Sequence, residues 1–270
     1  MTPDVKLLKQ ATHDPKVDPE KCMNGLSYRS VLGPVLYLST YSRPDIAHAV
    51  NVIARHSTGI APAHVKALLR VVKYLNGTQS WGIQFQRPEQ DQENMKAVGY
   101  QSTAHPCDPE KNHLLRCYAD SDYAGAHDRK STTGYIIMLN GGPICWGSSK
   151  QRIVAQSTAE AEVTAATDAG KDVIHMRLLL SELGFPHHTE QPTTIFEDNQ
   201  SCIYLARNLK SRRTARHYEI RLRFLQQMVQ DKEIEFTHIG TAHQIADLLT
   251  KPLAEAQFIN LRNQFMLDCS

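Results

Sequence analysis

A chain of 270 residues, 41% of them hydrophobic, has enough apolar side chains for one large domain or two ordinary ones. Its formal net charge of +2 is too small to imply a nucleic-acid partner by itself, so the distribution of charge matters more than its sum. Nothing near Met1 has the pattern of a signal peptide, no apolar run approaches a membrane span, and the six cysteines form no CxxC pair or zinc-like spacing; the expectation is a cytoplasmic or nuclear protein, not secreted, with no membrane partner and with reduced thiols.

In chain order, residues 1–27 are polar and carry Pro3, Pro15 and Pro19, which reads as an N-terminal tail. Residues 28–85 show apolar positions at helical spacing (Val31, Val35, Leu38, then Ile46, Val50, Ile53), with Pro44 and Pro62 where helices would begin. This predicts a small module of two or three helices. Residues 86–113 are rich in Gln, Glu, Asp, Asn and Pro, as a linker would be. Beyond it, Leu114–Ala124, Gly134–Asn140 and Pro143–Ser149 read as an antiparallel meander, its second turn made by Asn140, Gly141 and Gly142. A long helix from Thr158 to Leu183 stops at Gly184. Strand Thr193–Glu197, helices Gln200–Arg207 and Ala215–Asp231, strand Ile234–Ile239 and a helix from about Ile245 complete a mixed α/β order with one central sheet. Residues 253–270 follow as a helical tail.

Four acids lie at the edges of these elements: Asp120 in YADSDYAG, Glu162 in STAEAE, Asp198 in FEDNQS and Asp247 in QIADLLTKPL. Carboxylates that converge repel one another, so a site made of them holds cations, and hard oxygen donors favour Mg²⁺ or Mn²⁺. Glu160 has a structural role as the capping-box partner of Ser157. Glu162 instead heads the stripe Ala166, Ala169, Val173, Met176, Leu180, Leu183, which faces the sheet. Asp120 and Asp122 share one strand face and alternation does not choose between them; Asp198 could equally cap a helix, and Asp247 could be an ordinary first-turn acid. Between Arg207 and Arg223, seven basic residues (Arg207, Lys210, Arg212, Arg213, Arg216, Arg221, Arg223) face one acid, Glu219. That is either a surface for a phosphodiester backbone or a solvated helix face. The thirteen histidines include no HExxH and read as surface residues.

The strings YADSDYAG, RKSTTGYI, GGPICWGSSKQ, VAQSTAEAE, EDNQS, ARHYEIRLRFL and QIADLLTKPL, in that order, resemble the ribonuclease H domain of copia-type (Ty1/copia) retrotransposon Pol polyproteins over residues 114–252. YRSVLGPVLYLSTYSRPDIAHAV and ALLRVVKYLNGT resemble the segment after the polymerase active site of the same polyproteins. The resemblance implies a ribonuclease H-like α/β fold, a mixed five-stranded sheet flanked by helices and preceded by the helical module. It also implies cleavage of the RNA strand of an RNA–DNA hybrid with two Mg²⁺ or Mn²⁺ ions, and puts the family's four acids on Asp120, Glu162, Asp198 and Asp247. His238 and His243 are the candidates for a product-release histidine. The chain has no Asp-Asp pair, so no polymerase activity of its own is implied, and the polymerase part of the parent polyprotein becomes an expected partner. The alternative is a catalytically silent nucleic-acid-binding fragment of a decayed element.

Overall fold

The computed structural model describes residues 25–85, 114–126, 128–208 and 218–270. The expected linker, most of the expected N-terminal tail, and Lys210, Arg212, Arg213 and Arg216 lie outside the described residues.

Helix α1 (Tyr28–Tyr41) begins at Ser27, whose hydroxyl accepts a hydrogen bond from the Ser30 amide at 3.1 Å. Pro44 opens a 3₁₀ turn that runs into α2 (Ala47–Ala54), and Pro62 is the first residue of α3 (Pro62–Asn76), where a missing N–H leaves nothing unpaired. Tyr28, Leu32, Val35, Ile53, Leu68 and Val71 pack these helices on one another. Strand β1 (Trp81–Ile83) leaves the module.

The main sheet starts with β2 (Arg116–Asp122), β3 (Thr132–Leu139) and β4 (Gly142–Lys150), an antiparallel meander. Its tight β3–β4 turn puts Asn140 at φ 51° and Gly141 at φ 74°, both left-handed as a two-residue hairpin requires. Helix α4 (Thr158–Glu182) crosses the sheet; then β5 (Thr193–Glu197), α5 (Gln200–Arg207), α6 (Glu219–Gln230) and β6 (Ile234–His238) follow. Strands β5 and β6 run parallel to β2, giving the order β4-β3-β2-β5-β6. The expected mixed five-stranded sheet flanked by helices is thus the observed one.

Strand alternation divides the core in two. Cys117, Ala119, Ile137 and Ile195 face α4, α5 and α6. Tyr118, Ile136 and Phe196 face the other way, against α7 (Asp247–Thr250), α8 (Glu255–Arg262) and Ala47 of the helical module. The module is also tied to β4: the Trp146 indole donates to Ser39 O at 2.7 Å and Asn51 donates to Ser148 O.

Three expectations change. The helix expected from Ile245 is the single turn α7, broken at Lys251-Pro252 because the residue before proline is pushed out of the helical region, and α8 starts afresh. The chain then ends not in helix but in β7 (Met266–Asp268), which pairs antiparallel with β1. Leu183, expected to close the buried stripe of α4, is 61% exposed; it lies past Leu180, the last buried residue of the helix, where the chain turns out through Gly184 at φ 84°. Among the described residues no helix is long and apolar enough to cross a membrane.

Candidate active site

The parallel strands β2 and β5 end side by side, and the acids gather where they end. Asp120 lies near the end of β2 on the Tyr118 face, Asp198 follows β5 directly, and Glu162 comes from the second turn of α4. Carboxylate oxygens of Asp120, Glu162 and Asp198 all lie within 4.8 Å of one another. Asp120 and Glu162 are buried, whereas Asp198 is half-buried. Asp247, at the start of α7, is buried next to Asp120 and is not one of that group of three. All four sequence-expected acids therefore meet at one edge of the sheet. Asp122 does not join them; its carboxylate is turned onto Gly125, in the loop that follows β2.

Local sequence explains each position. Ser157 caps α4 by accepting from the Glu160 amide at 3.2 Å, and Glu160 reaches back to the Gln156 amide at 2.7 Å, one residue before the usual capping-box partner. That frees Glu162 to point inward. Asn199, not Asp198, caps α5 through Cys202 N at 3.0 Å. Asp198 instead accepts from Thr241 Oγ1 at 2.9 Å. The Thr250 hydroxyl donates to Asp120 Oδ2, and Lys251 Nζ stands 2.7 Å from Asp247 Oδ1 and 3.9 Å from Asp120 Oδ2.

A fifth carboxylate escaped the sequence reading. Glu197, the last residue of β5, is fully buried; its Oε1 accepts from Asn199 N at 3.1 Å and its Oε2 has no hydrogen-bond partner among the described residues. The signal was in the alternation: Glu197 shares a strand face with Ile195, which packs under α4. Also missed were two amides that hold the carboxylates in place. Gln244 Nε2 donates to Ala119 O at 2.9 Å and to Phe196 O at 3.3 Å, joining β2 to β5 one residue before Asp120 and Glu197. Gln151 Nε2 donates to Ala161 O at 2.9 Å and Thr133 Oγ1 at 3.1 Å, fixing α4 beside Glu162.

The electrostatic consequence is strain between like charges. Burial, then Glu197 and Asp120, push the Glu162 carboxyl up to about 11, and burial lifts Glu197 well above the ordinary range. Burial and the adjacent Asp120 raise Asp247 to about 7. Asp120 is raised by burial as well, against the opposing pull of Lys251 and the Thr250 bond. A cation at Asp120, Glu162 and Asp198 would relieve this, and a donor set made only of carboxylate oxygen suits a hard divalent ion. The buried Glu162 Oε2, which has no hydrogen-bond partner among the described residues, fits such an ion.

Of the expected phosphate-binding residues, Arg207 and Arg221 lie within the described residues. Arg207 donates to Phe236 O, so part of its guanidinium serves the fold; Arg221 is half-buried near the start of α6, and Arg223 pairs with Glu219 at 3.2 Å. His238, ending β6, and His243, in the 3₁₀ turn Thr241–His243, are both exposed.

No protein-family model matches the chain. It is 34% identical over 243 residues, 90% of its length, to the Retrovirus-related Pol polyprotein from transposon TNT 1-94 of Nicotiana tabacum, and 32% identical over 246 residues, also 90%, to that from transposon RE1 of Arabidopsis thaliana. The chain spans 16% and 15% of the length of these two relatives. Among solved structures, LC11-RNase H1 in complex with RNA/DNA hybrid matches 50% of this chain and 93% of its own, at 14% identity and a TM-score of 0.39. On the sequence matches, the chain belongs to the copia-type retrotransposon Pol polyproteins.

Proposed function

We propose that this chain is a ribonuclease H that hydrolyses the RNA strand of an RNA–DNA hybrid, with divalent cations held by Asp120, Glu162, Asp198 and Asp247. The observation that carries the reading is the convergence of Asp120, Glu162 and Asp198, from three elements far apart in sequence, to within 4.8 Å. Mg²⁺ or Mn²⁺ bound there would supply positive charge against the scissile phosphate and make water a stronger nucleophile near neutral pH. The protein's own part is to hold and orient. Gln244, Gln151 and Thr250 fix the backbone and carboxylates, so little reorganisation remains when substrate arrives. No side-chain nucleophile is needed, and the hydroxyl in contact with Asp120, that of Thr250, is already committed as a donor.

Hybrid binding is assigned to the basic stretch from Arg207 to Arg221, with Lys210, Arg212, Arg213 and Arg216 contributing charge toward the backbone. Selection of RNA over DNA in the cut strand would use its 2′-hydroxyls. The polymerase part of the parent polyprotein is the proposed protein partner.

The deciding experiment is incubation of an end-labelled RNA–DNA hybrid with the purified chain in Mg²⁺ or Mn²⁺, beside EDTA and Asp198→Asn. Metal-dependent cutting of the RNA strand alone, abolished in the variant while hybrid binding persists, is the expected result. A folded chain that binds hybrid and never cuts it would overturn the reading in favour of a silent binding fragment.

A further inference from the structure

The string QIADLLTKPL brings more than its aspartate to the site. Helix α7 is one turn long and ends at Lys251, whose backbone is extended at φ −141° and ψ 157°. Pro252 enforces that conformation, because it disfavours helical geometry in the residue before it. The lysine side chain consequently turns back along its own helix, and its ammonium stands 2.7 Å from Asp247 Oδ1 and 3.9 Å from Asp120 Oδ2. These contacts divide the tetrad. On one side Asp120, Glu162 and Asp198 gather oxygens within 4.8 Å of one another, and Lys251 approaches this trio through Asp120. On the other, Asp247, which adjoins Asp120 but is not one of the trio, is matched by Lys251 at 2.7 Å.

We propose that Lys251 is a built-in counter-cation of the carboxylate site: the free chain takes one divalent ion, at Asp120, Glu162 and Asp198, and takes a second, at Asp120 and Asp247, only when the lysine is displaced. The inference rests on the reading that this site holds divalent cations. A second ion sharing Asp120 and Asp247 would have to occupy the ground that the ammonium neutralises, and two cations at that separation repel strongly. Displacement is feasible because the lysine side chain is 32% exposed and can swing toward solvent, or toward the non-bridging oxygens of a bound nucleic-acid backbone. Asp120 would keep its hydrogen bond from Thr250 throughout. Lys251 is thus a positioning residue that makes occupancy of the second site conditional.

The test is a Mn²⁺ titration of the full chain, counting unbound ion by electron paramagnetic resonance, for the wild type, Lys251→Met and Lys251→Arg, with thermal melting as the check of folding. One Mn²⁺ on the wild type and on the arginine variant, and two on the methionine variant, is the expected result. Two ions on the wild type, or one on a folded methionine variant, would overturn the inference. Hybrid cleavage by the same wild-type preparation separates the two readings: two ions with cleavage removes only the lysine's role, whereas no ion and no cleavage removes both. If Lys251→Met does not fold, the wild-type count still decides, one ion supporting and two overturning.

Discussion

Gly134 lies directly opposite Asp120 across the β2–β3 pair, and α7 packs into the space that its missing side chain leaves. A Cβ at position 134 would meet Thr250 Cγ2 at 2.5 Å and Leu249 Cβ at 2.8 Å. The glycine in RKSTTGYI therefore sets how closely the Asp247 helix can approach Asp120. Gly134→Ala is expected to push α7 outward and to cost about 1–3 kcal/mol by overpacking. Urea denaturation measures the cost. The accompanying loss of hybrid cleavage should exceed what reduced folding explains, and a variant with wild-type stability and activity would refute the packing argument.

Gln244 offers a different kind of test, since it touches no carboxylate of the expected tetrad. Its amide satisfies two backbone carbonyls at the point where β2 and β5 finish. Gln244→Leu, of similar size, removes a hydrogen bond from each of Ala119 O and Phe196 O in a dry environment and should destabilise the chain by about 1–3 kcal/mol. Weakened Mn²⁺ binding is expected alongside, because Asp120 follows one of those carbonyls directly. Unchanged metal affinity would confine Gln244 to a structural role.

Arg262 joins the C-terminal segment to the helical module. Its guanidinium lies 3.6 Å from the centroid of the Trp81 ring and donates to Tyr74 OH at 3.0 Å; Tyr74 in turn donates to Asp45 Oδ2 at 2.7 Å, and Arg43 holds Asp45 through two bonds of 2.8 and 2.9 Å. Burial, helped by Asp45, raises the Tyr74 phenol to about 12. Arg262→Ala is expected to cost about 2 kcal/mol from the lost stacking and hydrogen bond. Lysine should recover only part, lacking the planar face that covers Trp81. Equilibrium unfolding of both variants checks the order; equal stability of the two would sink the stacking account.

How much of this was legible beforehand depends on the range of the interactions concerned. The meander, α4 and the turn at Asn140-Gly141 follow from local pattern, and the structure reproduces them within a few residues. The four acids were legible as a set because each sits in a distinctive string, and their convergence follows once the sheet is ordered. Glu197 was hidden because a strand-end acid beside a loop reads as exposed, while its burial depends on α4 and α5 closing over that end of β5. The β1–β7 pair was hidden for a stronger reason: three residues on each side carry no periodicity of their own, and Gly82 and its partner Leu267 are 185 positions apart, so only the assembled fold brings them together. Lys251 was visible as a residue but not as a contact, since its direction depends on α7 stopping after one turn.

The helical module carries its own pH dependence, independent of the acidic site. His56 stacks on His64 with ring centroids 4.0 Å apart. Burial lowers the His56 pKa, and His64, Arg55 and Lys150 nearby lower it further. The sign follows from linkage: between the depressed folded value and the ordinary 6.5, the unfolded chain binds more protons than the folded one. Stability from this group is therefore fully present above pH 6.5 and falls as the pH drops below it. Melting curves from pH 7.5 to 5 should show the wild type losing stability through this window, and His56→Gln, which cannot take up the proton, should show a shallower loss. Parallel curves for the two chains would mean that His56 does not contribute to the acid sensitivity of the module.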